Sequence, residues 1–385
     1  MHIPDGYLSP QTCAVLGAAM VPVWGTAARK VKATLKARQA PLLAIGAAFS
    51  FTIMMYNIPI PDGTTAHATG GALLAILLGP WAASIGISIA LAIQALFFGD
   101  GGILAFGANA FNMAFILPFT SYYLYRLLTG RTSLTSGWRA VAAAVAGYAG
   151  INLAALAAAV EFGLQPLLFH TASGVPLYSP YPLNMAVPAM ALAHLLVAGP
   201  AEALVTGLVV RYLQRVNSGL LQLYPAAGAA LTSASDTDGT IVTARTKTAG
   251  PALAPGTLAN SQEIISPAAN SSFGLKKLAL GLVILVLLSP LGLLAAGTAW
   301  GEWSPEDLQQ ILGFVPPGLA RLATTWTHIL FPDYTVPGLE GSFFSQALGY
   351  ILAAAAGLAI IFLIFLALNR LLFRPGKADP GYHGK

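Results

Sequence analysis

The chain has 385 residues, of which 56% are apolar and only 9% are Asp, Glu, Lys or Arg, and its net charge is +5. Soluble domains carry about 25% charged residues, so this composition excludes a cytosolic enzyme, a nucleic-acid binder and a disordered chain. It predicts instead an all-α polytopic membrane protein, surrounded by lipid in the cell membrane. The single cysteine, Cys13, excludes an internal disulfide framework.

The spans are marked by apolar stretches of about 20 residues, the length that crosses a hydrocarbon core of about 30 Å. In chain order they lie at 10–28, 40–58, 105–128, 137–162, 186–210, 277–297 and 345–369. Ser9 followed by Pro10 is a typical helix start and predicts where the first span begins. The stretch 69–98 is also apolar, but Gly79-Pro80 interrupts it, so it forms either one long kinked helix or two short ones.

The basic residues decide between these two possibilities, because Lys and Arg are concentrated in cytoplasmic loops. All of them except Arg321 fall into four clusters, at 29–38, 126–139, 211–277 and 370–385. Placing every cluster inside requires an even number of crossings between residues 68 and 104. We therefore predict that 69–79 and 81–98 form a short hairpin. This gives nine spans, with the N-terminus outside and the C-terminus inside.

A change in composition divides the chain into two membrane domains. Residues 214–274 are rich in Ala, Ser, Thr, Gly and Pro, which is typical of a flexible cytoplasmic linker. The linker separates a seven-span domain at 1–213 from a two-span domain at 275–385, whose spans enclose an outside loop at 299–344. The sequence contains no GxxxxGK[ST] motif, so any ATP hydrolysis must come from separate subunits.

The N-terminus has the chemistry of a metal chelator. Residues 1–9 carry no basic residue, so no cleavable signal peptide is predicted and Met1 stays terminal. Met1 and His2 then offer three nitrogens in sequence: the α-amine, the His2 amide once deprotonated, and His2 Nδ1. They close a five-membered and a six-membered ring with a metal, lie in one plane and leave one planar position open. Planar nitrogen ligation suits Ni²⁺ or Cu²⁺ better than Zn²⁺, which prefers a tetrahedron.

A fourth nitrogen is available in the next outside loop, which ends at His67 just before the interrupted apolar stretch. The predicted topology puts His67 on the same side of the membrane as His2, and we expect its Nε2 to close the site. Two plainer interpretations stay open. An N-terminal Met-His pair often has no function, and a single loop histidine is often structural or solvated.

Three sequence segments carry a resemblance to a known family. They are "MHIPDGYLSP" at the N-terminus, "PDGTTAHATGGALLAILLGPWAA" and "QALFFGDGGILAFGANAFNMA". They closely resemble the cobalt/nickel permeases of the CbiM/NikM type, the seven-helix substrate-binding S components of energy-coupling-factor ABC transporters. The resemblance covers about residues 1–213 and implies that Met1, His2 and His67 bind the metal.

The C-terminal domain resembles the two-helix accessory components of the same transporters, the NikN/CbiN-like or PDGLE domain. The motif stands at 331–341 as "FPDYTVPGLEG". Val336-Pro337-Gly338-Leu339-Glu340 lacks the aspartate of PDGLE, which puts the role of the motif itself in doubt. Such accessory components are separate chains in some systems and are fused to the permease in others. The linker at 214–274 predicts that this chain is such a fusion.

Several polar residues near the outer face are candidates for holding the ligands in place. They are Asp5, Asn57, Asp62, Gln94, Asp100, Asn109 and Asn112. For Gln94, Asn109 and Asn112, hydrogen bonds between helices are an equal alternative, and Asp5 could equally be a turn residue. Glu202 lies in an apolar span, where a carboxylate needs a partner. A structural pairing, with Arg211 as the expected partner, is favoured over a role in transport.

Together the residues and the resemblance predict a subunit that captures Ni²⁺ or Co²⁺ as transported substrate, with nickel favoured because it deprotonates an amide more easily. In this family cobalt import serves cobalamin biosynthesis. The resemblance implies a membrane coupling (T) subunit and ATPase (A) subunits as partners, and no catalytic residue in this chain. The alternatives are a stand-alone metal channel or secondary permease, and a membrane metal sensor.

Overall fold

The computed structural model describes residues 1–34, 40–61, 63–130, 132–216, 218–222, 271–295 and 297–372. Helices fill most of these ranges, as predicted. They are α1 (Pro10–Thr34), α2 (Ala40–Met54), α3 (Gly71–Leu78), α4 (Pro80–Ile93), α5 (Phe106–Asn109), α6 (Leu117–Thr129), α7 (Trp138–Leu168), α8 (Leu183–Ala193), α9 (Gly199–Val216), α10 (Ser271–Leu288), α11 (Pro305–Leu312), α12 (Pro317–Leu322) and α13 (Phe343–Leu372). Six helical stretches among the described residues are long and apolar enough to cross a membrane. The predicted all-α polytopic membrane protein is thereby confirmed.

Several predicted boundaries shift in the structure. The second predicted span, 40–58, already ends as a helix at Met54, because a two-stranded sheet follows with β1 (Ile58–Pro59) antiparallel to β2 (Thr65–Ala66). Of the predicted linker, 214–216 complete α9, Ser218–Gln222 form a 3₁₀ turn, and 271–274 already belong to α10. The rest of the linker lies outside the described residues.

The apolar stretch 69–98 folds as the predicted hairpin. Helix α3 ends at Gly79, whose φ of 83° favours glycine, and α4 begins with Pro80. A side chain added at Gly71 would meet Ile87, a residue that a straight helix would place about 24 Å away. The chain therefore reverses at Gly79-Pro80, and the His67 loop and the far end of α4 lie at the same end of the bundle.

Three helices widen into π-helical turns: Gln94–Phe98 after α4, Ala110–Ile116 after α5, and His194–Ala198 after α8. Each begins at or directly after a buried polar residue, namely Gln94, Asn109 and His194. A π turn rotates the residues that follow it around the helix, and such turns are frequent at functional sites. Two of the three lie beside the loop that carries Asp100.

The C-terminal domain packs on α2 through both α10 and α13. The Tyr350 hydroxyl of α13 donates to the Met55 carbonyl at 2.9 Å, directly after α2 ends. The Thr65 amide donates to the Thr298 carbonyl at 3.1 Å. Residues 299–342, which lie between α10 and α13, form the accessory loop. These contacts place it over the loop that ends at His67.

The N-terminal segment, residues 1–9, is buried between this accessory loop and the helices of the N-terminal domain. Ile3 and Tyr7 are 0% and 1% exposed. The Tyr7 hydroxyl donates to the Trp303 carbonyl of the accessory loop at 2.8 Å. At its end, the Ser9 hydroxyl accepts from the Thr12 amide at 3.1 Å and caps α1 as predicted. The segment is thus held from both sides, so Met1 and His2 have defined positions.

Candidate metal-binding site

The two predicted histidine ligands lie side by side. The ring centroids of His2 and His67 are 5.2 Å apart, and the rings are tilted by 33°. Their side chains come from the N-terminal segment and from the loop before α3, and both are buried, at 2% and 6% exposure. Two buried imidazoles in contact are unusual unless they share a ligand or a hydrogen-bond network.

His67 is arranged as a neutral imidazole with one free lone pair. Its Nδ1 lies 3.1 Å from the Ala68 carbonyl, which can only accept, so the hydrogen bond places the proton on Nδ1 and leaves Nε2 as the lone-pair nitrogen. Burial, the charge of the amino terminus and the neighbouring His2 lower the pKa of His67 well below its ordinary value. The imidazole is therefore uncharged near pH 7, the form in which histidine binds metals.

The α-amine of Met1 forms an ion pair with the accessory loop. Its nitrogen lies 3.1 Å from Glu302 Oε1, and Glu302 is about one-fifth exposed while Met1 is buried. An amine binds a metal only after losing a proton. For the predicted chelate, Met1 must therefore give up this proton together with its ion pair to Glu302.

His2 faces a carboxylate as well. Its Nδ1 lies 3.0 Å from Asp100 Oδ1, at a distance that fits an ion pair although the angle is not that of a hydrogen bond. Nε2 of the same ring is buried without a hydrogen-bond partner. The Met1 amine and His2 Nδ1, two of the predicted metal ligands, therefore each lie beside a carboxylate.

Asp100 is fixed by two further side chains. Its Oδ2 accepts from Gln94 Nε2 at 3.2 Å and from the Tyr334 hydroxyl at 2.5 Å. Burial raises the pKa of Asp100, but the charge of His2 and the hydrogen bond from Tyr334 outweigh it and hold the pKa below its ordinary range. Asp100 is therefore ionised near pH 7 and places a negative charge beside the His2 ring.

Asn109 and Asp5 hold the backbone of the N-terminal segment. Asn109 Oδ1 accepts from the Ile3 amide at 2.7 Å, and its Nδ2 donates to the Ile3 carbonyl at 3.0 Å. The Asp5 carboxylate accepts from the amides of residues 103, 104 and 105 at 2.8–3.1 Å. Burial still raises the pKa of Asp5 above its ordinary value. The two residues thus fix the peptide that follows His2, while neither bonds to an imidazole ring.

Two of the remaining candidates, Asn112 and Asn57, have other partners. Asn112 donates to Glu161 at 2.9 Å instead, as in the alternative of a hydrogen bond between helices. Asn57 lines the adjoining cavity, and its backbone amide donates to the Met55 carbonyl. Asp62 lies outside the described residues.

Glu202 has a different partner from the expected Arg211, so that prediction is wrong. Its carboxylate is fully buried and accepts from the amides of Thr69, Gly70 and Ala72 at 2.7, 2.9 and 3.2 Å. These amides form the start of α3, where helical N–H groups lack partners and a negative charge is favoured. Glu202 thereby anchors the backbone that directly follows His67. Sequence reasoning missed this link because Glu202 and α3 are far apart in the chain.

The Glu202→Gln variant is expected to bind nickel about 10-fold more weakly. Losses of this size are typical when a residue that holds a metal ligand in place, without touching the metal, is replaced. An amide has one acceptor oxygen for the α3 amides, and its NH₂ group opposes them, so His67 loses its fixed position. Isothermal titration calorimetry with Ni²⁺ measures the effect. Glu161→Gln is the matched control, since it alters another buried carboxylate in a helix. An equal loss in both variants would point to general destabilisation.

A cavity of about 510 Å³ is lined by His67 and by residues of both domains. Five acidic side chains contribute to its walls: Asp5, Asp100, Glu302, Asp307 and Asp333. Within the described part of the chain, no group of three or more His, Cys, Asp and Glu side chains is close enough to hold a metal ion. A site that takes two nitrogens from the backbone needs only two such side chains, so the N-terminal chelate is compatible with this finding.

Comparison with known proteins identifies a family for each of the two domains. The CbiM family, described as the cobalt uptake substrate-specific transmembrane region, matches residues 2–220, and the PDGLE domain matches residues 276–374. The fused nickel transport protein NikMN of Rhodobacter capsulatus is 46% identical, over 94% of this chain and 95% of its own length. The probable fused nickel transport protein LarMN of Lactiplantibacillus plantarum is 44% identical, over 96% and 98%.

A solved structure supports the same assignment for the permease domain. The crystal structure of a truncated transition metal transporter is 63% identical, covers 56% of this chain and 99% of its own, and superposes with a TM-score of 0.53. The family match spans more than half of this chain, and the two fused relatives extend over nearly all of it. The chain therefore belongs to the CbiM family of transmembrane metal-uptake proteins, here fused to a C-terminal PDGLE domain.

Proposed function

We propose that this chain is the substrate-binding subunit of an ATP-driven importer and captures Ni²⁺ or Co²⁺ at the outer face of the membrane. The observation that carries the proposal is that Met1, His2 and His67 are all buried and that the two imidazole rings are in contact. The metal binds through the amine, the His2 amide nitrogen, His2 Nδ1 and His67 Nε2. The fused relatives, both described as nickel transport proteins, support the same conclusion.

Nickel is the favoured substrate on chemical grounds. Four nitrogens in one plane suit Ni²⁺, and deprotonation of the His2 amide is easier with nickel than with cobalt. The Asn109 clamp on Ile3 fixes the peptide next to this amide, and Asp100 stabilises positive charge beside the imidazole. The site thus combines a rigid backbone with nearby negative charge, and both favour a divalent cation held by backbone nitrogen.

Energy for transport comes from separate subunits. This sequence has no P-loop, so the chain cannot cradle ATP phosphates in that way. We propose that a membrane coupling subunit and ATPase subunits complete the transporter, as the family resemblance implies. The accessory domain contacts the outer loops and assists loading or release of the metal.

Uptake into proteoliposomes tests this function. The chain alone is expected to bind nickel but not to accumulate it, whereas vesicles that also contain the coupling and ATPase subunits of the same organism accumulate nickel when ATP is present. Radioactive ⁶³Ni²⁺ retained in the vesicles is the measurement. Uptake by the chain alone along a nickel gradient would support the channel or secondary permease, and binding without uptake under any condition would support a sensor.

A further inference from the structure

The accessory loop brings a tyrosine into the hydrogen-bond network of the proposed metal site. The Tyr334 hydroxyl donates to Asp100 Oδ2 at 2.5 Å and accepts from Gln94 Nε2 at 2.8 Å. Asp100 Oδ1, the other oxygen of the same carboxylate, lies 3.0 Å from His2 Nδ1. A continuous chain of polar contacts therefore runs from the accessory domain through Asp100 to a proposed ligand of the permease domain.

The placement of Tyr334 is specific. Its side chain is buried and its ring stacks on Phe98 at 5.0 Å between centroids, with edge contacts to Phe51 and Tyr350. Asp333 and Tyr334 both adopt positive φ angles, 47° and 61°. Non-glycine residues are strained in this region of backbone conformation. Two such residues in succession persist only where surrounding contacts hold them, and this backbone turns the Tyr334 hydroxyl towards Asp100.

The hydrogen bonds leave Asp100 little freedom to rotate. With Oδ2 held by Tyr334 and Gln94, Oδ1 stays directed at His2. The negative charge of Asp100 therefore stays beside His2 Nδ1, the proposed ligand atom, where it attracts a cation and limits how the ring can turn.

We propose that Tyr334 of the accessory domain is a positioning residue of the metal site, which acts on His2 through Asp100. The proposal rests on the proposed function, since it assigns Tyr334 a part in metal binding by Met1, His2 and His67. The accessory domain thereby contributes directly to affinity and to the geometry of the bound metal, in addition to its packing against α2.

The test compares two tyrosine-to-phenylalanine variants in the full chain. Tyr334→Phe removes the hydroxyl on Asp100 and keeps the ring, and it is expected to weaken Ni²⁺ binding about 10-fold and to shift the visible absorption of the bound nickel. Tyr350→Phe is the matched control, because its hydroxyl bonds the Met55 carbonyl across the same domain interface at 2.9 Å. It is expected to leave affinity and spectrum unchanged.

A double-mutant cycle shows whether Tyr334 acts through Asp100. If it does, Tyr334→Phe adds almost nothing to the loss caused by Asp100→Asn, because the two changes break one network. Additive losses, or equal losses in Tyr334→Phe and Tyr350→Phe, overturn the proposal. Full nickel affinity and an unchanged spectrum in Tyr334→Phe also overturn it while the proposed function stands. A wild-type chain that binds no nickel refutes both.

Discussion

The His67→Ala variant is expected to lose more than about 100-fold in nickel affinity, because it removes the one ligand that the N-terminal chelate cannot supply. Even residues that merely orient a metal ligand cost 10–100-fold when they are removed. His67 presents a free Nε2 beside His2, while its Nδ1 is held by the Ala68 carbonyl. Calorimetric titration of the purified protein with Ni²⁺ measures the loss.

The pH dependence of this loss separates His67 from the other ligands. Since burial keeps the pKa of His67 well below its ordinary value, His67 is neutral throughout pH 6–8 and has no proton to release. The amine and the amide do release protons, so affinity rises with pH in wild type and variant alike. The fold loss in His67→Ala is therefore expected to be constant over this range. His170→Ala, at an exposed histidine between α7 and α8, is the control and should bind as wild type.

Insertion of one leucine between Met1 and His2, a residue bulky enough for Met1 to stay terminal, is expected to make nickel binding independent of His67. The histidine becomes the third residue, so the amine, two amides and the imidazole supply four nitrogens and fill the plane. In wild type the plane has one position open, which His67 closes. Adding His67→Ala to each background and titrating with Ni²⁺ and Co²⁺ measures the difference.

The control for this insertion is one alanine placed between Pro4 and Asp5, which lengthens the N-terminal segment but keeps the Met1-His2 chelate. It should retain dependence on His67, although the altered Asp5 contacts with residues 103–105 lower its affinity. If the insertion after Met1 and the wild type bind nickel and cobalt with equal affinity and preference, the amine and amide are not ligands. The site would then be elsewhere.

Local sequence signals predicted most of the permease fold. Ser9-Pro10 marked the start of α1, and Gly79-Pro80 marked a reversal, because capping and the fixed φ of proline act within a few residues. Charge distribution predicted that His2 and His67 share a face, and the structure places their rings 5.2 Å apart. Such predictions succeed where the physical cause lies close by in the chain or acts on whole spans.

The sequence did not predict which side chains from distant segments form specific hydrogen bonds and ion pairs. Glu202 was matched to Arg211, a neighbour on its own helix, although the amides at the start of α3 satisfy it in the structure. A buried carboxylate accepts from any unpaired donor, so its chemistry predicts that a partner exists but not which one. Tyr334 and Glu302 were missed for the same reason, since tertiary packing alone brings the accessory loop to Asp100 and Met1.

The contact of the accessory loop with the N-terminal segment also has a stoichiometric consequence. Because Glu302 and Tyr334 belong to the same chain as Met1 and Asp100, their encounter is intramolecular, and tethered partners meet at effective concentrations on the order of millimolar. A separate accessory chain would have to reach a comparable concentration in the membrane to occupy the site as fully. Fusion therefore gives one accessory loop to every site at any level of expression, and dilution of the transporter cannot dissociate it.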